Sequence, residues 1–226
     1  MQVKVETRKR FRVPEMEGAM ARWYARQRGS ASQMKVYRKQ AALLTEGLPS
    51  GARVLEVAPG PGYQAIEMAR RGRFQVTGLD ISRTMVEIAS QKAREAAVSI
   101  DFRQGDATSL PFEAGSFDLV VCQAAFKNFR QPVEALDEMH RVLRDGGVAV
   151  IQDLSRDASD AEIEREVSEM ELSGLNAFVT KFVLGGMLRR RAYSRAQFER
   201  LAAESAFRSC EVRKDGIGLE VRLTKT

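Results

Sequence analysis

The chain has 226 residues, 44% of them apolar and 29% charged, with a net charge of +6 and two cysteines. That is the size of one α/β domain with an insertion, and two isolated cysteines, Cys122 and Cys210, supply neither a disulfide framework nor a metal cluster. No run approaches the ~18 apolar residues of a membrane span, and the charged opening MQVKVETRKRFRVPE lacks the apolar segment of a signal peptide, so a reducing, cytoplasmic setting is expected.

The charge is unevenly placed. Residues 1–50 hold eleven Lys/Arg against four Asp/Glu, and the remaining 176 residues are close to neutral. A basic arm of this kind suits contact with an anion, a membrane surface or a nucleic acid, or is a solvated tail or an arm folding over an anionic ligand. No aromatic-interleaved basic patch accompanies it, which disfavours nucleic acid.

Helical spacing of Met16, Met20 and Trp23 or Tyr24 predicts a helix over residues 15–28, broken by Gly29-Ser30. A second helix is expected over 32–47, with Ser32 as N-cap and Gly47 as stop. Strand 1 runs from Arg53 to Ala58, and a helix follows from Gly62 to Arg71. Phe74 to Asp80 reads as strand 2, Ser82 caps a helix to Ala97, and Ser99 to Gln104 reads as strand 3. Strand 4, Phe117 to Cys122, is nearly all apolar, as a parallel strand covered on both faces should be. Pro132 opens a helix ending near Arg144, and strand 5 is expected from Val148 to Asp153. This alternation predicts a doubly wound parallel sheet. Residues 157–191 are amphipathic and read as helices inserted after strand 5, followed by a helix from Ser194 to Ala206. Two period-two runs, Cys210–Arg213 and Leu219–Leu223 around Asp215-Gly216, predict a terminal antiparallel hairpin. The chain divides into a basic arm with helices over 1–47 and an α/β domain over 48–226.

Chemistry concentrates at the turn after strand 1. Gly60-Pro61-Gly62-Tyr63-Gln64-Ala65 satisfies the dinucleotide fingerprint G-x-G-x-x-A. Pro59 and Pro61 nevertheless bring no N–H to a phosphate. Glu56 before the turn would repel a pyrophosphate but pair with an ammonium group. Asp80 ends strand 2 and can accept from both hydroxyls of a ribose. Asp106 follows strand 3 and can accept from an exocyclic amine, although acids at such turns are common without any ligand.

Together Val54–Gly62, Gly78–Ser82, Gly105–Ala107, Leu110–Phe112, Ser116–Val120 and Glu138–Gly147 resemble the class I S-adenosylmethionine-dependent methyltransferases. Within that class the chain is most similar to the ubiquinone/menaquinone-biosynthesis group. The resemblance implies a Rossmann-like, seven-stranded, mostly parallel sheet with an antiparallel last strand. It implies S-adenosylmethionine as cofactor, with Glu56, Ala58, Gly60 and Gly62 under the methionine part; no metal is expected, because the sequence has no metal-ligand cluster. It further implies Asp80 and Ile81 at the ribose, Asp106 and Ala107 at the adenine, and Gln123 on the floor near the sulfonium. Ala58 departs from the glycine usual there, and Lys127-Asn128 stands where many relatives have a histidine pair.

Trp23, Tyr24, Phe126, Lys127 and the 157–191 insertion are candidates for the pocket walls, Tyr24 also for the cofactor, and Arg189-Arg190-Arg191 for selecting an anionic acceptor. His140, the sole histidine, is expected to pack on the sheet's flank rather than act as a base. The expected function is methyl transfer to a small molecule. The alternatives are RNA or protein methylation recruiting the arm, an NAD(P)-dependent oxidoreductase, and a non-catalytic binding module.

Overall fold

The structure is a computed structural model, and it describes residues 16–169 and 174–226. The basic stretch 1–14 lies outside the described residues.

Two helices lead: α1 (Gly18–Arg28) and α2 (Ala31–Leu44). Then come β1 (Arg53–Val57), α3 (Tyr63–Ala69), β2 (Gln75–Asp80), α4 (Arg83–Glu95), β3 (Asp101–Gln104) and β4 (Phe117–Gln123). A single 3-10 turn, Phe126–Asn128, precedes α5 (Pro132–Val142) and β5 (Leu143–Leu154). The helical insertion follows as α6 (Asp160–Glu169), α7 (Gly174–Phe182), a π-helical stretch over Val183–Leu188 and α8 (Arg189–Arg191). The chain closes with α9 (Arg195–Glu204) and the hairpin β6 (Glu211–Asp215) and β7 (Gly218–Thr224).

The strands form one seven-stranded sheet in the order β3-β2-β1-β4-β5-β7-β6. β1 to β5 pair in parallel, and β7 runs antiparallel to both β5 and β6. The order reverses between β1 and β4, and open α/β sheets bind ligands at the carboxyl ends of the strands beside such a reversal.

Strand periodicity sorts the core into two layers. Val54, Leu119, Val121 and Val150 pack with Ala41 and Leu44 of α2 and Ala65 and Met68 of α3. Their sequence neighbours Leu55, Val120, Cys122 and Ile151 face Leu136 and Met139 of α5 and Phe198 and Ala202 of α9. Cys122 is thus a small core residue, and His140 packs edge-on to Phe207 at 5.0 Å.

Some boundaries differ from the sequence reading. Ser30, not Ser32, caps α2, because its hydroxyl accepts from Gln33 N at 3.4 Å. β5 begins at Leu143 rather than Val148, since Leu143 already pairs with Phe117 ahead of a register shift. Ala158, Ile163 and Val167 of the insertion pack with Leu184 and Ile217. Lys214 of β6 also reaches Glu162. The insertion therefore sits against the terminal hairpin.

Gly62 has a structural task at the start of α3. Its φ is +78°, and a Cβ there would lie 2.8 Å from Ala89 Cβ and 2.9 Å from a Phe102 ring carbon. Left-handed backbone and overpacking each cost about 1–2 kcal/mol for an L residue. Gly62→Ala should lower the unfolding free energy by about 2–3 kcal/mol, read by urea denaturation. Gly60→Ala has no neighbour within 4 Å of its Cβ and should cost only the backbone part, about 1 kcal/mol.

Candidate ligand site at the carboxyl ends of the strands

β1 carries Val54 and Glu56 towards the face occupied by α2 and α3, then enters the turn Ala58–Gly62. Ala58 has φ +57° and Gly60 has φ +53°. Ala58 N donates to Leu79 O at 2.8 Å, Gly60 N to Asp80 Oδ2 at 2.9 Å, and Gly62 N to Pro59 O at 3.0 Å. With prolines at 59 and 61, every N–H of this turn is either missing or spent inside the protein. A phosphate would find no backbone donor in Ala58–Gly62. Ala58, where glycine was expected, holds the left-handed conformation despite its methyl group, at a cost of about 1 kcal/mol.

Behind the turn lies Glu56, 2% exposed. Among the described residues its Oε2 is the buried side-chain polar atom that has no hydrogen-bond partner. Burial pushes its pKa up to about 8, with the nearby Asp80 charge adding to the shift and the Ala65 N–H opposing it. Asp80 is buried too. It accepts from Gly60 N and, through Oδ1, from Ser82 N at 2.9 Å. Burial raises its pKa, and these backbone donors pull it back.

The N-terminal helices complete the enclosure. Ser82 Oγ donates to Met16 O at 2.8 Å. The Glu17 carboxylate accepts from the backbone N–H groups of Arg83 at 2.8 Å and Thr84 at 3.0 Å, and from the Thr84 hydroxyl. The Thr84 hydroxyl in particular holds the Glu17 pKa below the usual carboxylate value. An acid at the first turn of α4 thus ties α1 across the sheet end. Tyr63 OH donates to Ala25 O at 2.9 Å, its ring stacks on Tyr37 at 5.8 Å, and Arg28 Nε donates to Tyr37 OH at 3.0 Å.

These elements enclose a pocket of about 420 Å³, within the ~300–1,000 Å³ of small-molecule sites. Of the sequence-predicted residues, Tyr24, Glu56, Ala58, Gly60, Asp80, Ile81, Asp106, Ala107 and Gln123 all line it. Asp106 Oδ1 accepts from the N–H and hydroxyl of Thr108, both at 2.9 Å. Its Oδ2 has no partner among the described residues. Gln123 Nε2 donates to Gln40 Oε1 at 2.5 Å.

Other expectations are corrected. Gly62 packs against Ala89 and Phe102 and is not part of the lining. Phe126 is fully buried in the core, stacked on Phe198 at 5.5 Å. Lys127 is buried as well, its Nζ 2.7 Å from Asp153 Oδ1 and bonded to Ala124 O. The 3-10 turn sends both side chains inward and brings Asn128, Phe129, Arg130 and Gln131 to the pocket instead. Trp23 is 57% exposed and outside the lining. No described residue of 157–191 lines the pocket, and Arg189 is bonded to Ala158 O at 2.9 Å and Asp160 at 2.7 Å. Arg28, Tyr37, Tyr63, Met16 and the 128–131 loop were missed by sequence reasoning. Among the described residues no cluster of three His, Cys, Asp or Glu could hold a metal ion, and no helix is long and apolar enough to cross a membrane.

Residues 55–151 match the family model described as a methyltransferase domain. The demethylmenaquinone methyltransferase of Deinococcus radiodurans is 41% identical over 111 residues, which is 49% of this chain and 46% of that one. The chain spans about half the length of the curated relatives it matches. Among solved structures, a putative S-adenosylmethionine-dependent methyltransferase of Methanococcus maripaludis aligns with a TM-score of 0.67 over 92% of each chain, at 22% identity. That likeness concerns the fold. The [4+2]-cyclase SpnF is 32% identical with a TM-score of 0.51, over 54% of this chain and 46% of that one.

The site makes two predictions. Glu56 has a folded-state pKa of about 8 against an ordinary 4.5, so folding favours its protonated form. Its stabilising contribution is complete below about pH 4.5 and is lost as pH rises towards 8. Glu56→Gln should remove that slope, and its melting temperature relative to the wild type should climb between pH 5 and 8. Lys127→Met should cost about 3–5 kcal/mol in urea unfolding, because it strands Asp153 as a buried unpaired charge.

Proposed function

We propose that this chain, with a methyltransferase domain over residues 55–151, is an S-adenosylmethionine-dependent methyltransferase acting on a small-molecule acceptor. The observation that carries this reading is the unpartnered Oε2 of the Glu56 carboxyl, which lines the pocket beside a turn with no N–H left for a phosphate. Such a site fits a nucleoside joined to an ammonium group, and it argues against a pyrophosphate-bearing dinucleotide. The residues present fit the cofactor along its whole length. Glu56 would take the ammonium, and the remaining lone pairs of Asp80, with Ile81 beside them, would face the ribose. Asp106 Oδ2 and Ala107 would meet the adenine, and Gln123 would lie below the sulfur.

The cofactor, when bound, supplies an electrophilic methyl group on a sulfonium. The chain's own contribution is placement and exclusion of water. Orientation alone contributes up to roughly 7–11 kcal/mol when the partners are held in line. Helix α1 covers the pocket, held by Glu17 on the first turn of α4. The loop after β4 forms the other end, with the Phe129 ring as an apolar wall and Asn128 and Arg130 as polar groups. No carboxylate partner of Arg130 is found among the described residues. An acceptor carrying negative charge, such as a carboxylate or an ionised phenol, suits it. The relatives' name places a demethylmenaquinone in their hands; for this chain the acceptor class is a small molecule. The cytoplasm is the expected compartment.

The test is a thermal-shift comparison followed by a labelled-methyl screen against small-molecule extracts. S-adenosylhomocysteine should raise the melting temperature, and NAD(P) should not. Stabilisation by NAD(P) alone would sink the assignment. Cofactor binding without methyl turnover on any acceptor would favour a non-transferring role on this fold. Asp80→Ala should weaken S-adenosylhomocysteine binding by about 1–3 kcal/mol, the usual worth of charge-assisted hydrogen bonds, measured by calorimetry.

A further inference from the structure

We infer that the outer face of α1 and α2 docks on an anionic lipid bilayer, with Trp23 seated at the level of the headgroups. Such docking is independent of the methyl transfer proposed above.

Residues 18–45 hold six Lys/Arg and no Asp/Glu. Two of the six are engaged: Arg28 donates to Tyr37, and Arg38 lies 3.7 Å from Glu67. The other four, Arg22, Arg26, Lys35 and Lys39, are exposed, and their side chains have no hydrogen bond or ion pair among the described residues. Elsewhere exposed cations have an acid beside them, as Arg83 has Glu87, Lys181 has Glu164 and Arg213 has Glu211. Glu17, just before α1, is taken up by the first turn of α4. Like charges gathered without counter-charges repel one another, and an anionic surface relieves that repulsion.

The same two helices expose Met20 (60%), Trp23 (57%), Val36 (46%) and Leu43 (56%). One exposed apolar side chain needs no explanation, but here the helical period sets all four among the cations. Trp23 lies opposite the buried Ala21 and Ala25, with Arg22 and Arg26 along one side and Met20 along the other. On α2, Lys35, Lys39 and Leu43 lie opposite the buried Tyr37, Ala41 and Leu44, and Val36 flanks Leu43. An interfacial helix presents this mixture: apolar side chains enter the acyl boundary while Lys and Arg meet anionic headgroups. Tryptophan settles between the two. Neither helix is long and apolar enough to cross a membrane, which suits a surface contact. A nucleic acid would use the charge but leave Met20, Val36 and Leu43 idle, and one tryptophan is no stacking platform. The inner side of these helices brings Tyr24, Arg28 and Tyr37 to the pocket, so docking lays the pocket's cover against the bilayer.

Trp23 is the chain's single tryptophan, so its fluorescence reports the contact directly. The full chain is titrated with phosphatidylcholine vesicles, with vesicles that also contain phosphatidylglycerol, and with a single-stranded RNA oligomer. The phosphatidylglycerol vesicles should shift the Trp23 emission to the blue, and brominated acyl chains should quench it. Phosphatidylcholine alone should do neither, and added salt should weaken the binding. Lys35→Gln with Lys39→Gln should weaken vesicle cosedimentation about 20-fold, at roughly fivefold for each cation near an anionic surface. Met20→Ser with Leu43→Ser should weaken it about tenfold. All four positions are exposed, so both variants should keep the wild-type melting temperature. Vesicle binding with unshifted Trp23 emission would put the contact elsewhere, the basic residues of 1–14 included, and overturn the inference. Undiminished binding by the lysine double variant would overturn it too, as would tighter binding of the RNA than of the vesicles, or binding of neither.

Discussion

A buried carboxyl oxygen without a hydrogen-bond partner is costly, and this structure holds one, Glu56 Oε2, at the centre of its sheet. Burying an unsatisfied polar group costs on the order of 1–3 kcal/mol, and an ionised one far more. Glu56 lies on β1, between β2 and β4, with its registry partners Gly78 and Val121 on either side. Its pKa of about 8 is the protein's response: the proton stays on rather than leave a bare charge. Much of the neighbouring architecture is consistent with keeping that group buried yet reachable. The turn after β1 curls over it, α3 begins beside it, and α2 lies across the same face. A sequence selected for stability alone would place an apolar residue there.

The turn works with Glu56 through its hydrogen bonds. Because Asp80 accepts from Gly60, the β2 end and the glycine turn are tied directly, and the turn cannot open without breaking this partly buried hydrogen bond. The same bond consumes a donor that a phosphate would need. One contact thus both shapes the turn and takes up one of its N–H groups. The G-x-G-x-x-A pattern is thus a backbone shape requirement here, with glycines at positive φ.

The N-terminal helices contribute what the sheet does not. A parallel sheet offers backbone ends and short loops at its carboxyl edge, but few long side chains that reach back over a ligand. α1 and α2 bring Tyr24, Arg28 and Tyr37 from the opposite side. Glu17 on the first turn of α4 and Tyr63 on Ala25 O fix their position. Glu17, Tyr24, Arg28 and Tyr37 lie outside residues 55–151, so the segment that matches the family model carries only part of the enclosure.

The order of strands and helices was legible because it depends on local pattern. Apolar runs, caps and glycine stops follow the period of the backbone, and the terminal hairpin alternates with period two. Glu56, Asp80 and Asp106 were legible as a set because each ends a strand or follows one, and strand ends in a parallel sheet converge. The loop after β4 was not. One 3-10 turn decides whether Phe126 and Lys127 or Asn128 and Phe129 line the pocket, and three residues are too few to show a period. Nor could the sequence pair Arg28 with Tyr37, or Lys127 with Asp153, since such partners meet only through packing. The insertion read as a cap because amphipathic helices need a partner, yet that partner proved to be the terminal hairpin. What the sequence by itself determined was the sheet, the buried acid and the shape of the turn, all set by near-neighbour rules. What only the tertiary structure decided was which side chains close the pocket, because that depends on where helices far apart in the chain come to rest.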